Sequence, residues 1–129
     1  MCVLLVEDEA LIRELVAESL QKAGFEVEEA ETGEEAVELI LDHPERFEAL
    51  VTDLQMPGCL NGSEVAAAMR QQLPDIPVVI ASGRPDLFQD TWHHELGYEL
   101  VSKPFRASEL VALVRQLIPD LYEANPCAH

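Results

Sequence analysis

The sequence predicts an α/β fold in which a parallel β-sheet is covered by helices on both faces, and three observations support this prediction. Five strand-like segments alternate with five segments of helical periodicity along the 129 residues. The connections between them are short. Such alternation is typical of consecutive βαβ units, whose right-handed crossovers place parallel strands side by side. A chain of this length is expected to form one domain with a full hydrophobic core.

The predicted strands are short runs of apolar and β-branched residues. The first, third and fourth are continuously apolar, which is typical of strands buried on both faces of a parallel sheet. The second alternates weakly and is expected to be more exposed. In chain order, the strands are predicted at residues 2–6, 26–30, 49–52, 78–81 and 98–102.

The predicted helices are indicated by apolar residues at i, i+3 and i+4 and by residues that start or stop helices. Gly24 fits the end of the first helix, and Thr32 and Glu35 have the spacing of a capping box at the start of the second. Pro85 fits the first turn of the fourth, which has the weakest apolar face. The helices are predicted near residues 9–23, 32–42, 61–73, 86–95 and 107–118, and the second is expected to face Ala36, Val37, Ile40 and Leu41 inward.

Charge and composition narrow the class of function. The net charge of −17, from 25 acidic and 8 basic residues, argues against direct nucleic-acid binding, which needs a basic surface. No apolar run approaches the ~20 residues of a membrane span. The chain starts without a signal-peptide pattern, and its three scattered cysteines lack metal-ligand spacing, so we expect a cytoplasmic protein. We expect one domain over residues 1–119 and a loose tail over 120–129.

Polar residues follow four of the five predicted strands. Glu7 and Asp8 follow the first strand, Asp53 the third, Ser82 the fourth and Lys103 the fifth. Because the carboxyl ends of parallel strands lie at one edge of the sheet, these side chains are expected to converge. Three crowded carboxylates repel one another, and a hard cation such as Mg²⁺ relieves that repulsion. A carboxylate can also be the nucleophile that forms an acyl phosphate, with an ammonium and a hydroxyl pairing with the phosphoryl oxygens.

Each of these residues also has an ordinary explanation by itself. Asp53 could begin a turn, and Glu7 with Asp8 could begin a helix whose dipole favours acidic residues. Ser82 could be a turn residue, and Lys103 a surface lysine. The occurrence of all five residues at equivalent strand ends favours the functional interpretation.

In these motifs the sequence resembles the receiver domain of two-component response regulators. The resemblance extends from residue 2 to about residue 118, and it implies a flavodoxin-like, doubly wound sheet with strand order 2-1-3-4-5 and five helices. The motifs that carry it are Val-Glu-Asp-Glu at 6–9, Asp53 with Met56-Pro57, Ser82-Gly83, and Lys103-Pro104-Phe105.

The resemblance also implies a reaction and its partners. Asp53 would accept a phosphoryl group from a phosphohistidine of a sensor histidine kinase or a histidine phosphotransfer protein. Ser82 would move toward the phosphoryl group, Lys103 would contact it, and the bond before Pro104 would be cis. Mg²⁺ would bind Glu7, Asp8, Asp53 and the backbone carbonyl of Gln55.

Signal output is expected to use the face formed by the fourth helix, the fifth strand and the fifth helix, which would contact a downstream protein. The family usually carries an aromatic residue three positions before the lysine, but this sequence has Leu100, with Tyr98 two positions away on the same strand face. Gln55 and Arg84 occupy positions that flank the path of attacking water in the family, so they are expected to tune the phosphoryl lifetime. The loop over residues 57–62 also looks one residue longer than usual.

Two other functions remain open from the sequence. One is a degenerate receiver that binds partners without phosphorylation, which Leu100 permits and the intact set of five residues opposes. The other is a small phosphatase or phosphotransferase with an aspartate nucleophile. Such enzymes often carry a second acid two residues after the nucleophile, where this chain has Gln55. A non-enzymatic signalling module is therefore preferred.

Overall fold

Five parallel strands form one sheet, in the expected order 2-1-3-4-5 when the strands are numbered along the chain. The computed structural model describes residues 2–55, 58, 60–83, 97–103 and 105–118. The three inner strands are buried except for the partly buried Glu48, whereas four of the five residues of the second strand, at one edge, are exposed or partly buried. The strands are β1 (Cys2–Val6), β2 (Glu26–Ala30), β3 (Phe47–Asp53), β4 (Val78–Ser82) and β5 (Glu99–Ser102).

Helices connect the strands, and none of those described is long and apolar enough to cross a membrane. They are α1 (Ala10–Lys22), α2 (Gly33–Asp42), α3 (Gly62–Gln72) and the last helix (Ala107–Leu117), with a short 3₁₀ helix at Pro44–Arg46 that the sequence had not indicated. The predicted helix over 86–95 lies outside the described residues. So do Arg84, Met56, Pro57, Pro104 and the predicted tail over 120–129.

The core has two layers because successive side chains of a strand point to opposite faces of the sheet. Leu4 and Val6 of β1 face one layer, and Val3 and Leu5 face the other. One layer includes buried residues of α2 and α3, namely Ala36, Ile40, Val65 and Met69. The other includes buried residues of α1 and the last helix, namely Val16, Leu20, Leu110 and Val114.

The inward face predicted for α2 is partly wrong. Ala36 and Ile40 are fully buried and Val37 packs against the core, but Leu41 is 61% exposed. The stripe that contacts the sheet is narrower than the apolar pattern, so Leu41, one position beyond Ile40, is rotated outward.

The capping box predicted at the start of α2 is only half formed. The Thr32 hydroxyl accepts a hydrogen bond from the Glu35 N–H at 3.1 Å. The Glu35 carboxylate, however, accepts from the Glu31 N–H at 3.3 Å, one residue before the cap. A complete capping box instead opens α3, between Asn61 and Glu64.

Candidate functional site

Backbone hydrogen bonds continue past the strand ends and fix the positions of the residues that follow. The Glu7 N–H donates to the Ala30 carbonyl at 3.1 Å, which extends the pairing of β1 with β2. The Lys103 N–H donates to the Ser82 carbonyl at 2.8 Å, which extends the pairing of β5 with β4. On β3, Asp53 is itself in register with Ala81 of β4. The residues predicted to form the site are thereby held at one edge of the sheet.

A single ammonium group joins two of the carboxylates. Lys103 Nζ lies 3.0 Å from Glu7 Oε1 and 3.1 Å from Asp53 Oδ2. The other oxygen of the Glu7 carboxylate accepts a hydrogen bond from the Glu9 N–H at 3.2 Å. Glu7 and Asp53 are both buried, so these charge-assisted contacts form in a partly desolvated site.

The third carboxylate completes an oxygen cluster that suits a divalent cation. Carboxylate oxygens of Glu7, Asp8 and Asp53 all lie within 4.8 Å of one another. Asp8 is exposed, so the cluster opens to solvent on one side. An all-oxygen set with room for water is the donor set that Mg²⁺ prefers. The residues present therefore fit the Mg²⁺ that the sequence predicted. Gln55, whose backbone carbonyl is the fourth predicted ligand, is exposed and follows Asp53 closely in the chain.

Burial and charge act in opposite directions on these groups. Burial raises the pKa of Asp53 above its ordinary value of 3.8, although the hydrogen bond from Lys103 lowers it in part. Burial likewise raises the pKa of Glu7, against the opposing effect of Lys103. For Lys103, burial alone would lower the pKa, but hydrogen bonds to Glu7 and Asp53 raise it above its ordinary value. The lysine therefore stays charged, while the carboxylates ionise less readily than in water.

Ser82 and Leu100 lie on neighbouring strands. Ser82 is fully buried at the end of β4, in register with Ser102, the residue before Lys103. Leu100 is half-buried and in register with Ile80, against the core layer that contains Tyr98. Tyr98 precedes β5 rather than lying in it, is buried, and has the Arg70 guanidinium 5.1 Å from its ring centre.

Two residues contact the site that sequence reasoning did not assign to it. Arg13 donates from Nη1 to the backbone carbonyl of Glu7 at 2.9 Å. Gly62, the first residue of α3, lies so close to the Asp53 carbonyl oxygen that a Cβ would collide with it. The sequence offered a weak signal for each. Arg13 is an isolated cation in an acidic stretch, and Gly62 is a poor helix former directly after the N-cap residue Asn61.

An apolar groove of about 410 Å³ borders the cluster on the side of α1. Its lining residues are Ile12, Leu15, Val16, Lys103, Phe105 and Ala107. Leu11 and Leu15 on the same helix are 82% and 58% exposed. Apolar surface of this kind beside a charged site is typical of protein contacts.

Known proteins share this fold and these sequence features. The model of the response regulator receiver domain family matches residues 3–115. The response regulator MprA of Mycolicibacterium vanbaalenii is 33% identical over 117 residues, which cover 90% of this chain and 49% of that protein. The chain thus spans about half the length of the curated relatives it matches.

Solved structures of receiver proteins have the same fold as this chain. A response regulator receiver protein from Sinorhizobium medicae superposes with a TM-score of 0.82 at 28% identity, covering 92% of this chain and 94% of that one. The response regulator TrrA from Thermotoga maritima, solved in complex with Mg²⁺-BeF, gives a TM-score of 0.77 at 32% identity, covering 90% and 97%. The chain belongs to the response regulator receiver domain family, whose members are signalling modules.

Proposed function

We propose that Asp53 is the phosphoacceptor of a two-component phosphorelay and that its phosphorylation switches protein contacts of this chain. The observation that carries the proposal is the shared environment of the Asp53 carboxylate. It lies 3.1 Å from the Lys103 ammonium and within 4.8 Å of carboxylate oxygens of Glu7 and Asp8. A nucleophilic oxygen beside a lysine and a cation site is the arrangement that phosphoryl transfer needs.

In the proposed reaction, an Asp53 carboxylate oxygen attacks the phosphorus of a donor phosphohistidine. The new oxygen–phosphorus bond forms an acyl phosphate, and the phosphorus–nitrogen bond breaks, leaving its electron pair on the imidazole nitrogen. Mg²⁺ would be held by Glu7, Asp8, Asp53 and the Gln55 carbonyl. When bound, it would neutralise part of the negative charge of the phosphoryl group. Lys103 would keep its contact with Glu7 and transfer its other contact from Asp53 to a phosphoryl oxygen.

The same residues suggest how the signal is passed on. Ser82, fully buried at the end of β4, would turn its hydroxyl toward the phosphoryl group. Gln55, which is exposed, and Arg84 would tune the lifetime of the acyl phosphate. Leu100 lacks the ring that usually moves between buried and exposed positions, so the loop after Ser82 and the predicted helix over 86–95 would carry most of the change. The output face would be this helix, β5 and the last helix, contacting a downstream protein.

The groove beside Lys103 supports a protein rather than a small molecule as the physiological donor. A sensor histidine kinase or histidine phosphotransfer protein could pack apolar side chains against Leu11 and Leu15 while presenting its histidine to Asp53. In that case, Leu15→Asp would slow transfer from a phosphorylated kinase that labels the wild-type chain, and would leave labelling by acetyl phosphate unchanged. Equal slowing with both donors would contradict a docking role. The dispersed cysteines support a reducing compartment, the cytoplasm.

In the proposed function, the chain is a signalling module and not an enzyme that acts on external substrates. A phosphatase with an aspartate nucleophile would use a second acid near position 55, where Gln55 cannot donate or accept a proton as a carboxyl group does. A receiver that acts without phosphorylation would not need the cluster of Glu7, Asp8, Asp53 and Lys103. Turnover of varied phosphate esters would support the enzyme, and failure to accept phosphoryl groups would support the degenerate receiver.

Intact-mass spectrometry after treatment with acetyl phosphate and Mg²⁺ tests the proposal. We expect one labile phosphoryl group on the wild-type chain and none on Asp53→Asn, which keeps the shape of the side chain and removes its charge. Glu48→Gln, at a partly buried position elsewhere on β3, is the matched control and should be labelled normally. Labelling of Asp53→Asn at the wild-type level would overturn the assignment.

A further inference from the structure

The guanidinium group of Arg13 uses each of its three nitrogen atoms to contact a different residue. Nη1 donates to the Glu7 backbone carbonyl at 2.9 Å. Nε lies 3.3 Å from Glu29 Oε1, and Nη2 lies 3.4 Å from Glu31 Oε1. The side chain is only 12% exposed, although it is charged and starts from the first turn of α1. Arg13 therefore links the start of α1, the end of β2 and the backbone of the candidate metal site.

The carbonyl that Arg13 contacts belongs to the peptide unit that joins Glu7 to Asp8. On the other side of Glu7, its N–H donates to the Ala30 carbonyl at 3.1 Å. The backbone is therefore held at both ends of Glu7, by β2 directly and by Arg13, which is itself anchored on acidic residues at the end of β2. Asp8 is exposed, so the orientation of this peptide unit largely decides where its carboxylate lies.

We propose that Arg13 is a positioning residue for the cation site, acting through the peptide unit between Glu7 and Asp8 to hold both carboxylates in a binding arrangement. The inference rests on the metal site of the proposed function. In the described part of the chain, Arg13 pairs with the Glu7 backbone carbonyl, Glu29 and Glu31, and with no carboxylate of the candidate metal site. Its role is to keep the adjacent carboxylates of Glu7 and Asp8 from rotating apart when no cation neutralises their mutual repulsion.

Charge and geometry predict opposite effects of removing Arg13. As a cation near the site, Arg13 repels Mg²⁺, so its loss should tighten Mg²⁺ binding if only charge mattered. As a positioning residue, its loss should weaken binding, because groups that orient metal ligands typically contribute about 10- to 100-fold in affinity. The sign of the change therefore separates the two roles.

Arginine suits this position better than lysine for a geometric reason. Its planar group presents donors in three directions at once, whereas a lysine ammonium on a flexible stem is a single point charge. Arg13→Lys keeps the charge and one potential donor to Glu7, but it cannot also hold the two anchoring carboxylates. We expect its affinity for Mg²⁺ to lie between those of the wild type and Arg13→Gln.

The test is calorimetric titration of the full chain with Mg²⁺, for the wild type, Arg13→Gln, Arg13→Lys and Arg46→Gln. Arg46 is a matched control because it pairs with Glu28 of the same strand at 3.3 Å, so its substitution also removes one positive charge that neutralises β2. We expect Arg13→Gln to bind Mg²⁺ about tenfold more weakly than the wild type. Arg46→Gln should bind as tightly as the wild type or slightly more tightly.

A second readout separates positioning from general damage. Labelling of Arg13→Gln by acetyl phosphate should be slow at low Mg²⁺ and recover at saturating Mg²⁺, which damage to the fold would not allow. Binding by Arg13→Gln as tight as by Arg46→Gln would overturn the Arg13 proposal alone. Absence of Mg²⁺ binding by the wild-type chain would instead contradict the metal site of the proposed function. If Arg13→Gln does not fold, Arg13→Lys decides, and wild-type affinity in that variant overturns the proposal.

Discussion

The Glu7 carboxylate and the Lys103 ammonium, 96 residues apart in the chain, are joined by a hydrogen bond of 3.0 Å. The same ammonium lies 3.1 Å from Asp53, so one cation is shared by two buried carboxylates. Exposed Asp8 adds a third acid to the cluster. Without a divalent cation, the site therefore carries more negative charge than its lysine neutralises, so protons and Mg²⁺ should both affect its stability.

The stability of the chain without metal should depend on pH through Asp53. Because burial raises its pKa above 3.8, the folded protein binds this proton more tightly than the unfolded chain does. The stabilising effect of Asp53 is therefore present at low pH and is lost as the pH rises from 3.8 through the raised folded value. The test is urea unfolding of the wild type and Asp53→Asn without divalent cations. As the pH rises across this window, the wild type should lose stability relative to Asp53→Asn, so the free energy of unfolding of the variant minus that of the wild type should increase. A difference that stays constant with pH would contradict the expectation.

Mg²⁺ should stabilise the wild-type chain against thermal unfolding, and this stabilisation should require Asp8. A ligand that binds only the folded state adds about 2.7 kcal/mol when its concentration is 100 times its dissociation constant. We expect Asp8→Ala to lose most of the increase in melting temperature, because one of three clustered oxygens is gone. Glu18→Ala removes an equal charge from an exposed position on α1 and should keep the increase. Equal shifts in the two variants would place the metal elsewhere.

Gly62 should be required because of its contact with the backbone of Asp53. A Cβ at this position would collide with the Asp53 carbonyl oxygen and would lie 2.9 Å from the Leu54 Cα. Gly62→Ala is expected to lower the free energy of unfolding by about 1–3 kcal/mol, the usual cost of overpacking, and to slow labelling of Asp53. At Gly83 no atom of the described residues lies within 4 Å of a Cβ, so Gly83→Ala should change stability by less than about 0.5 kcal/mol. Chemical denaturation of the two variants compares them directly.

A phosphoryl mimic should change the protein mainly beyond Ser82. Amide hydrogen exchange with and without beryllofluoride and Mg²⁺ should show its largest differences between residue 82 and the end of the predicted helix over 86–95. Leu100, half-buried and without a ring to reorient, should change little. Changes confined to residues 9–48 would reject this route and indicate a different output face.

Much of the architecture could be predicted from local patterns. Continuous apolar runs predicted the buried strands, and β1, β2 and β4 were placed within one residue of their observed ends. The predictions of side-chain burial and strand length failed where these depend on the neighbouring element rather than on the local apolar pattern. Leu41 continues the apolar stripe of α2 yet points to solvent, and β3 begins at Phe47, two residues before the predicted start, because pairing with β1 extends it.

The sequence by itself determined which residues follow the strands, because that information is local: Glu7, Asp8, Asp53, Ser82 and Lys103 each stand next to a recognisable strand. Only the tertiary structure decided how they meet. The distance from Lys103 to Glu7 depends on β3 and β4 lying between their two strands, in a register set by hydrogen bonds across the sheet. The ion pairs of Arg13 with Glu29 and Glu31 likewise need α1 to pack beside the end of β2. Such contacts join residues that no periodicity relates, so they exist only once the layers are packed.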